Sequence, residues 1–337
     1  MTTLLDVNDL TVRFATERGS VHAVSAVSYS LREGETLAVV GESGSGKSVH
    51  YLSLLKLLPS PPARITGGAA WFEGQDLVAL DRNALRPILG SRIGIVFQDP
   101  MTSLNPVLSI GLQLTERLVE HQGLTARQAT ERAAELLDLV HIPDPRTRLA
   151  QYPHQFSGGM RQRVMIAIAL SCEPRLLIAD EPTTALDVTV QAQILDLVRE
   201  LKEKLGMSIV WISHDLGVVA GIADTVQVMY AGRIVECGPA RDVFKDSRNA
   251  YTLGLLQSIP DVAHGGTGRL RQIPGAPPNM LDPPPGDPFA PRNPYATERC
   301  FREMPPLRPV PGGHPEHLVA AWYDLREARR KDLEPAR

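Results

Sequence analysis

The segment that most constrains the fold is Gly41-Glu42-Ser43-Gly44-Ser45-Gly46-Lys47-Ser48, which directly follows the apolar run at residues 37–40. This arrangement predicts a strand, a loop and a helix in that order. Glycines at the first, fourth and sixth positions of the loop can take positive φ and bring backbone N–H groups close to an anion. The spacing therefore predicts a loop that cradles phosphate groups, and residues 41–48 are called the phosphate loop below.

The polar residues of the phosphate loop fit the same chemistry. Lys47 supplies a positive charge for the outer phosphates, and Ser48 supplies a hydroxyl for Mg2+. A helix that begins near Ser45 presents unpaired N–H groups and the positive end of its dipole to the ligand. The alternative is a tight strand-to-helix turn that holds no ligand, and the apolar strand directly before the loop argues against it.

Length and composition limit the classes of protein that fit. With 337 residues, the chain has room for a sizeable core and for more than one substructure. A formal net charge of -3 gives no global positive field, so nucleic acid is not an expected partner. The start of the sequence lacks a basic leader, and no apolar run is long enough to span a bilayer, which predicts a cytoplasmic protein. The 3 cysteines are scattered, as expected of reduced thiols.

The regions on either side of the phosphate loop predict two strand systems. Residues 4–31 alternate in short β-like segments and predict an antiparallel β subdomain, in which Phe14 or His22 could stack on a nucleotide base. Strand packing is an equally open interpretation for either residue. A compact apolar strand at residues 93–97 ends in Gln98, whose amide oxygen could reach Mg2+ or an attacking water.

Residues 101–153 have a helical pattern, with a capping box formed by Thr125 and Gln128. They predict a helical insertion between two parts of an α/β core. The segment Phe156-Ser157-Gly158-Gly159-Met160 follows and leads into a buried helix. Ser157 is well placed to cap that helix, and the two glycines allow a ligand to approach its N-terminus.

A buried parallel strand at residues 176–180 is predicted to deliver Asp180 and Glu181 to the edge of the sheet where ligands bind. Asp180 would hold Mg2+ opposite Ser48, and Glu181 would polarise the water that attacks the γ-phosphate. Asp187 belongs to a loop that precedes a further helix, and it could as well be the N-cap of that helix. His214 follows a further strand and could contact the γ-phosphate, although a lone histidine at a strand end is more often structural.

Together these motifs resemble the nucleotide-binding subunit of ABC transporters in both order and spacing. The resemblance implies an α/β fold with a P-loop NTPase (RecA-like) core, an antiparallel β subdomain, an inserted α-helical subdomain and a Pro-rich C-terminal extension. The expected boundaries are 1–100 and 157–246 for the two parts of the core, 101–156 for the helices and 247–337 for the extension. ATP and Mg2+ are the implied cofactors.

The resemblance also implies a role for each matching residue. Asp180 and Ser48 bind Mg2+, Glu181 is the catalytic carboxylate, Gln98 senses the γ-phosphate and His214 is the switch histidine. The remaining residues of the implied ATP-binding set are Ser157, Gly158, Gly159 and Asp187. The signature serine and glycines would bind ATP held by a second ATPase subunit, so that two subunits close head to tail on the nucleotide.

A finer resemblance lies in residues 98–106, in Tyr152-Pro153-His154-Gln155 and in the tail that begins Ile273-Pro274-Gly275. These segments resemble the ATPases of oligopeptide and dipeptide importers. Such importers pair two related ATPase subunits with two membrane-spanning permeases and an external solute-binding protein, which implies a peripheral location on the cytoplasmic face of the membrane. Relatives also move nickel or glycans, so the solute is open.

The tail departs from this family in one respect. Many members carry four tail cysteines with iron–sulfur spacing, whereas the matching positions here are Asp287, Asn293, Cys300 and Ala321. One thiolate cannot hold a four-cysteine cluster, so no iron–sulfur cluster is expected. The prolines between Pro274 and Pro311 predict an extended strap laid on the core or on a partner, with few regular hydrogen bonds.

Two other classes compete with a transporter ATPase. The first is a soluble ABC-type ATPase that acts on DNA or ribosomes, but the long coiled-coil insertions, zinc-bearing insertions or second phosphate loop that usually accompany that class are not seen in the sequence. The second is a subunit that holds ATP without hydrolysing it. The presence of Glu181 and His214 argues against the second class.

Overall fold

The structure is a computed structural model that describes residues 2–184, 186–259 and 272–333. Ala185, which belongs to the pattern at residues 185–187, lies outside the described residues. The strands are β1 (Thr3–Thr16), β2 (Gly19–Arg32), β3 (Thr36–Val40), β4 (Ala63–Phe72), β5 (Gln75–Asp76), β6 (Ile93–Val96), β7 (Leu176–Asp180), β8 (Ser208–Ser213), β9 (Thr225–Tyr230), β10 (Arg233–Pro239), β11 (Leu307–Pro309) and β12 (Leu318–Ala320).

Helices fill most of the intervals between these strands. They are α1 (Lys47–Leu54), α2 (Arg82–Ser91), α3 (Pro100–Ser103), α4 (Ile110–Gln122), α5 (Ala126–Leu139), α6 (Pro145–Arg148), α7 (Gly158–Leu170), α8 (Val188–Leu205), α9 (Leu216–Ile222), α10 (Ala240–Lys245), α11 (Ala250–Gln257), α12 (Glu298–Arg302) and α13 (Leu325–Leu333). Short 3-10 turns lie at Pro153–Gln155 and Ala290–Arg292.

The chain divides into two compact units. The first unit consists mainly of Leu31–Thr36 and Leu80–Ser213, and the second of Thr3–Ser30, Leu37–Ala79 and the described residues from His214 onward. Strands β6, β7 and β8 lie parallel and side by side in the first unit. Their apolar runs are buried, as expected for parallel strands that are covered on both faces. The predicted buried parallel strand before Asp180 is thereby confirmed.

Helices α4, α5 and α7 pack together in the first unit and supply its helical part. Helix α5 begins at the predicted capping box, in which the Thr125 side chain accepts from the Gln128 N–H and the Gln128 side chain accepts from the Thr125 N–H. One face of α5 is buried and consists of Ala129, Ala133, Ala134, Leu136 and Leu137. The helical spacing of these small and apolar residues explains why this segment packs as a helix.

The second unit contains the phosphate loop and two sets of strands. Strand β3 lies parallel to β9, and β10 lies antiparallel to β9. Strands β1, β2, β4 and β5 form a separate sheet in the order β2-β1-β4-β5, in which β4 is antiparallel to β1 and to β5. The alternating pattern at residues 4–31 predicts the first two strands of this sheet, whereas β4 and β5 lie beyond that pattern and were not predicted.

The tail is more regular than the sequence analysis predicted. Strand β12 pairs antiparallel with β10, and β11 pairs antiparallel with β12, so the tail extends a sheet. Of these two tail strands, β11 falls within the predicted strap at residues 274–311, so the prediction of few regular hydrogen bonds is wrong at residues 307–309. Pro309 is compatible with β11 because a proline is tolerated on an edge strand. Beside β12, the buried His317 Nε2 lies 2.8 Å from Glu236 Oε1 of β10.

Within residues 2–184, 186–259 and 272–333, none of the helices combines the length and the apolar character that crossing a lipid bilayer requires.

Candidate functional site

The phosphate loop is a tightly packed connection between β3 and α1. Ser45, Gly46 and Lys47 are buried, whereas Ser43 and Gly44 are exposed. Helix α1 begins at Lys47, and its N-cap Gly46 has φ 98°, which a residue with a side chain rarely adopts. The loop thus turns from a buried strand into a helix within a few residues.

Two positions of the phosphate loop must be glycine because backbone atoms of other strands lie too close for a Cβ atom. A Cβ atom at Gly46 would lie 2.7 Å from the Ala23 carbonyl oxygen, and one at Gly41 would lie 2.2 Å from the Met229 carbonyl oxygen. Gly44 also has positive φ, at 78°, but a Cβ atom there would meet no atom within 4 Å among the described residues. The loop is therefore packed against the protein on one side and open at Gly44.

The polar atoms of the loop suit an anionic ligand. Lys47 Nζ donates to the carbonyl oxygens of Gly41 at 2.8 Å and Glu42 at 3.0 Å. The buried Ser45 Oγ has no hydrogen-bond partner within the part of the chain that the structure describes. Among the residues that the structure describes, no side chain caps the start of α1. A helix N-terminus, a buried hydroxyl and an ammonium group on one loop are donors of the kind that bind phosphate.

The two candidates for base stacking lie on the strands that precede the loop. Phe14 of β1 and His22 of β2 are both half-buried. Burial, together with the positive charges of Arg13 and Arg233, lowers the pKa of His22 and so favours the neutral ring. Both residues therefore offer an uncharged aromatic face, and the choice between them stays open.

The predicted carboxylates lie where β7 ends. Asp180 is the last residue of β7, and Glu181 follows with φ 47°, an uncommon value for a residue other than glycine. The Glu181 N–H donates to the carbonyl oxygen of Ile212 in β8 at 2.9 Å. Positive φ at such a position is costly and clusters at functional sites.

Glu181 is held by two neighbours, and the three residues Gln98, Glu181 and Thr184 are called the carboxylate cluster below. Glu181 Oε2 accepts from Gln98 Nε2 at 3.0 Å and from Thr184 Oγ1 at 3.1 Å. The structure thus brings together Gln98 and Glu181, two of the three predicted catalytic residues. Thr184 was not anticipated, because a threonine in a turn gives no sequence signal of its own.

The predicted signature residues stand at the start of α7. The Ser157 side chain caps this helix by accepting from the Met160 N–H at 3.3 Å. A Cβ atom at Gly159 would lie 2.7 Å from Val190 Cγ1, so only glycine fits there, while Gly158 is exposed. Asp187 caps α8 by accepting from the Val190 N–H at 2.9 Å, which establishes the cap interpretation for this residue and leaves its ATP contact a prediction.

His214, the third predicted catalytic residue, is exposed and follows β8 in the chain. The next residue, Asp215, caps α9 by accepting from the N–H groups of Gly217 at 2.8 Å and Val218 at 3.3 Å. The cap fixes the backbone beside His214 while the imidazole remains on the surface.

The tail positions that replace the family's cysteines are also close together. The Asp287 N–H donates to the Cys300 carbonyl oxygen at 2.7 Å. Burial raises the pKa of the Asp287 carboxyl group, and the same carboxyl helps to raise the pKa of Tyr323. The Asn293 side chain hydrogen bonds to Tyr323, and Ala321 is buried. These positions are thus filled by packed side chains of different chemistry.

Known families and proteins match this chain along most of its length. The family profile "ABC transporter" matches residues 24–184, and the profile "Oligopeptide/dipeptide transporter, C-terminal region" matches residues 235–300. The chain is 52% identical over 322 residues to the oligopeptide transport ATP-binding protein OppD of Bacillus subtilis (strain 168), which covers 96% of this chain and 89% of that protein. It is 51% identical over 305 residues to the dipeptide transport ATP-binding protein DppD of the same organism, covering 90% of this chain and 91% of that protein.

Solved structures show the same fold. The dimeric post-hydrolysis structure of the ATP-binding cassette MJ0796 bound to ADP and Pi superposes with a TM-score of 0.63 at 27% identity, and covers 70% of this chain and 99% of that chain. Another match is cbiO1 from Clostridium perfringens, part of the ABC transporter complex cbiONQ, with a TM-score of 0.63, 28% identity and coverage of 78% of this chain and 98% of that chain.

The fold and the phosphate loop define a P-loop ATPase of the ATP-binding cassette class, which confirms the predicted fold class and the predicted ATPase activity. Its nucleotide is ATP, as in the cassettes that it matches. Within that class, the chain belongs to the family of oligopeptide and dipeptide transport ATP-binding proteins, which it matches across nearly all of its length. The predicted family resemblance is thereby confirmed.

Proposed function

We propose that the chain is the ATP-hydrolysing subunit of an ABC importer for oligopeptides or dipeptides. The observation that carries this proposal is the pair of matches at residues 24–184 and 235–300, which join an ABC cassette to a peptide-transporter tail. Relatives named for oligopeptide and dipeptide transport are about half identical over nearly the whole chain. The importer would work at the cytoplasmic face of the membrane, and the subunit would hydrolyse ATP there.

Binding of ATP is assigned to the phosphate loop. Its backbone N–H groups, Lys47 and the Ser45 hydroxyl would contact the phosphates, and an aromatic ring at Phe14 or His22 would stack on the base. Ser48, Gln98 and Asp180 are oxygen donors of the kind that Mg2+ prefers, and they are the proposed ligands of that ion. When bound, Mg2+ would neutralise charge on the β- and γ-phosphates.

Hydrolysis is assigned to Glu181, with Gln98 and His214 in support. Glu181 would accept a proton from the attacking water, and the contacts from Gln98 and Thr184 would orient its carboxylate for that task. His214 would contact the γ-phosphate. Positioning and charge stabilisation are the main requirements of this reaction, which needs no covalent intermediate.

A second ATPase subunit would complete each site. We propose that Ser157, Gly158, Gly159 and Asp187 contact ATP held by that second subunit, since Gly158 and Ser157 are exposed at the start of α7. ATP would then favour the closed pair because it makes more contacts in that state. The dimeric cassette MJ0796 is a precedent for pairing within this fold.

Two permeases and an external solute-binding protein are the other proposed partners, and they would keep this subunit at the membrane. Several large apolar side chains between β6 and the end of α4 in the first unit are exposed, namely Phe97, Met101, Val107, Leu112 and Val119. A permease segment on these side chains would remove them from water. We also propose the domain boundaries expected from the sequence. The ATPase core consists of residues 1–100 and 157–246, the helical subdomain of residues 101–156 and the C-terminal extension of residues 247–337.

The tail is proposed to hold no iron–sulfur cluster. Of the positions that match the family's cysteines, only Cys300 offers a thiolate, and the others are occupied by packed Asp287, Asn293 and Ala321.

The variant Glu181→Gln tests the catalytic assignment. The amide cannot accept the proton from water, so turnover should fall by about 10² to 10⁴-fold while ATP still binds. ATP should then hold the subunits as a closed pair, which size-exclusion chromatography with and without ATP would measure. Glu203→Gln, at an exposed position of α8, is the matched control and should hydrolyse ATP normally. Unchanged turnover in Glu181→Gln would remove this residue from its role.

Purification of the intact membrane complex tests the solute and the partners. Mass spectrometry of the complex should identify two permeases, one further ATPase chain or a second copy of this one, and peptides bound to the external protein. Nickel or a glycan in place of peptide would contradict the proposed solute, and a gel shift with DNA at physiological salt would favour a nucleic-acid ATPase instead.

A further inference from the structure

Glu42, the second residue of the phosphate loop, is held at three separate points. Its backbone N–H donates to the Tyr251 hydroxyl at 2.7 Å. Its carbonyl oxygen accepts from Lys47 Nζ at 3.0 Å and from the Ser45 N–H at 3.2 Å. Its side chain contacts Arg292, which belongs to the 3-10 turn Ala290–Arg292 in the tail. The position and orientation of Glu42 are therefore set both by its own loop and by Tyr251 and Arg292, which lie more than 200 residues later in the chain.

The Arg292 guanidinium uses all of its donors, two on the Glu42 carboxylate and three on neighbouring groups. Arg292 Nη1 donates to Glu42 Oε2 at 2.7 Å, and Nη2 donates to Glu42 Oε1 at 2.9 Å, so the pair is bidentate. Nη1 also donates to the Tyr230 hydroxyl at 3.1 Å, Nε to the Pro274 carbonyl oxygen at 2.9 Å and Nη2 to the Ile273 carbonyl oxygen at 3.4 Å. Five N–H donors meet five acceptors, which fixes the plane of the guanidinium.

The surroundings of the pair make it strong. The Arg292 side chain is 5% exposed and the Glu42 side chain 27%, so water screens the charges little. The guanidinium lies 5.7 Å from the ring centroids of Tyr230 and Phe289, within cation–π range of both. The hydrogen bonds that Arg292 donates to the Glu42 carboxylate are the largest cause of the raised pKa of Arg292, so the guanidinium keeps its charge.

We propose that Arg292 is a positioning residue for ATP, which acts through Glu42 to hold the phosphate loop in its binding conformation. The Glu42 carbonyl oxygen accepts from Lys47 Nζ and from the Ser45 N–H, so a shift of Glu42 would displace the ammonium group assigned to the phosphates together with the backbone at Ser45. The C-terminal extension is then part of the nucleotide site. This inference rests on the assignment of ATP to the phosphate loop.

The test measures ATP affinity of the full-length chain by isothermal titration calorimetry. Arg292→Gln removes the charge and the fork, and it should weaken ATP binding by about tenfold, as expected for the loss of a charge-assisted bidentate pair. Arg302→Gln is the matched control, because it makes the same change in the same tail at an exposed pair with Glu298. The control should bind ATP within about twofold of the parent. Unchanged affinity in Arg292→Gln would overturn the inference.

A double-mutant cycle tests whether Arg292 acts through Glu42. Glu42→Gln alone should weaken ATP binding about as much as Arg292→Gln, and the double variant should be no weaker than either single variant. Arg292→Lys keeps the charge without the planar fork and should recover part of the affinity. Additive losses in the double variant would contradict an action through Glu42.

Thermal unfolding separates a purely structural role from the proposed one. A residue that only stabilises the fold would lower the melting temperature and leave the ATP affinity of the folded protein unchanged, whereas a positioning residue changes the affinity as well. If Arg292→Gln does not fold, Glu42→Gln and Arg292→Lys carry the test, and unchanged affinity in both would overturn it. Lys47→Ala separately tests whether ATP binds at the phosphate loop. ATP binding that survives this change would refute the assignment of ATP to the loop.

Discussion

The phosphate loop and the carboxylate cluster are built in opposite ways. Ser45, Gly46 and Lys47 of the loop are buried, and backbone atoms of neighbouring strands lie against Gly41 and Gly46. In the carboxylate cluster, Gln98 and Thr184 are exposed and Glu181 is half-buried. The cluster is joined by side-chain hydrogen bonds from Gln98 and Thr184 to one carboxylate oxygen, whereas the loop adds backbone packing at its glycines to the side-chain contacts of Glu42.

This difference corresponds to the two tasks of an ATPase. Donors fixed by backbone packing need little reorganisation when charge arrives, so a packed loop suits binding. Exposed side chains with single hydrogen bonds can exchange partners at low cost, so the cluster suits a site whose contacts change during turnover. Changes in the loop should therefore affect folding and ATP affinity, whereas changes in the cluster should affect turnover.

The largest effect is expected for Gly46→Ala. Its Cβ atom would clash with the Ala23 carbonyl oxygen, and its φ of 98° is unfavourable for alanine, so the free energy of unfolding should fall by about 3 kcal/mol or more. Gly44→Ala is the matched control, with positive φ but open space around the Cβ atom, and should lose only about 1 to 2 kcal/mol. Urea denaturation without nucleotide measures both. Equal losses would show that backbone packing does not distinguish the two positions.

The next effect concerns His50 of α1, the helix that begins in the phosphate loop. Burial lowers the pKa of His50 to about 3. Below a pH of about 6.5 the unfolded chain binds a proton at this residue and the folded chain does not, so stability falls as the pH decreases from there towards 3. The loss is about 1.4 kcal/mol per pH unit, or about 2 kcal/mol at pH 5.

His50→Phe isolates this contribution. Phenylalanine keeps an aromatic ring beside Tyr51 and Tyr29, whose ring centroids lie 3.7 and 5.6 Å from that of His50. The variant should lose less stability than the parent between pH 7.5 and pH 5, as measured by urea unfolding at both values. The same pH dependence in both proteins would show that the buried His50 imidazole does not cause the loss of stability at low pH.

In the carboxylate cluster, Gln98→Ala should reduce turnover by about tenfold. The substitution removes a hydrogen bond to a charged carboxylate, which is worth about 1.5 kcal/mol or more. The affinity for ATP in the absence of Mg2+ should change by less than about twofold, since the loop is untouched. Steady-state hydrolysis and calorimetry measure the two quantities. A large loss of ATP affinity with unchanged turnover would show that the carboxylate cluster serves binding and not hydrolysis.

The smallest effect is expected for Thr184→Val, which removes the second hydrogen bond to Glu181. The Thr184 hydroxyl is a second donor, at 3.1 Å, to a carboxylate oxygen that Gln98 still contacts at 3.0 Å, so turnover should fall by about two- to threefold. Thr189→Val, at an exposed position of α8, is the control for the general effect of this substitution. A loss as great as that of Gln98→Ala would show that both contacts orient the carboxylate equally.

Much of the candidate site could be predicted because its signals are local. The strand before Asp180, the capping box at Thr125 and the caps at Ser157 and Asp187 each depend on residues within a few positions of one another. Hydrophobic periodicity and capping preferences report such short-range structure directly. These elements were accordingly found where the sequence placed them, within one or two residues.

Contacts between distant parts of the chain could not be predicted in this way. Arg292 and Glu42 are 250 residues apart, and no periodic pattern connects them. The tail strands were missed for the same reason, since β11 and β12 are short, lie near prolines and exist because β10 offers a partner. A single sequence records the propensity of each segment but not which segments meet.

The pairing of β12 with β10 has a consequence for how shortened versions of this protein would behave. Without residues 303–333, β10 would present a row of unsatisfied backbone groups to solvent, next to the buried carboxylate of Glu236 without its imidazole partner. Exposed strands of this kind recruit other chains. Truncation should therefore yield a protein that self-associates into insoluble assemblies, and light scattering on a concentration series would detect this well before any assay of nucleotide turnover.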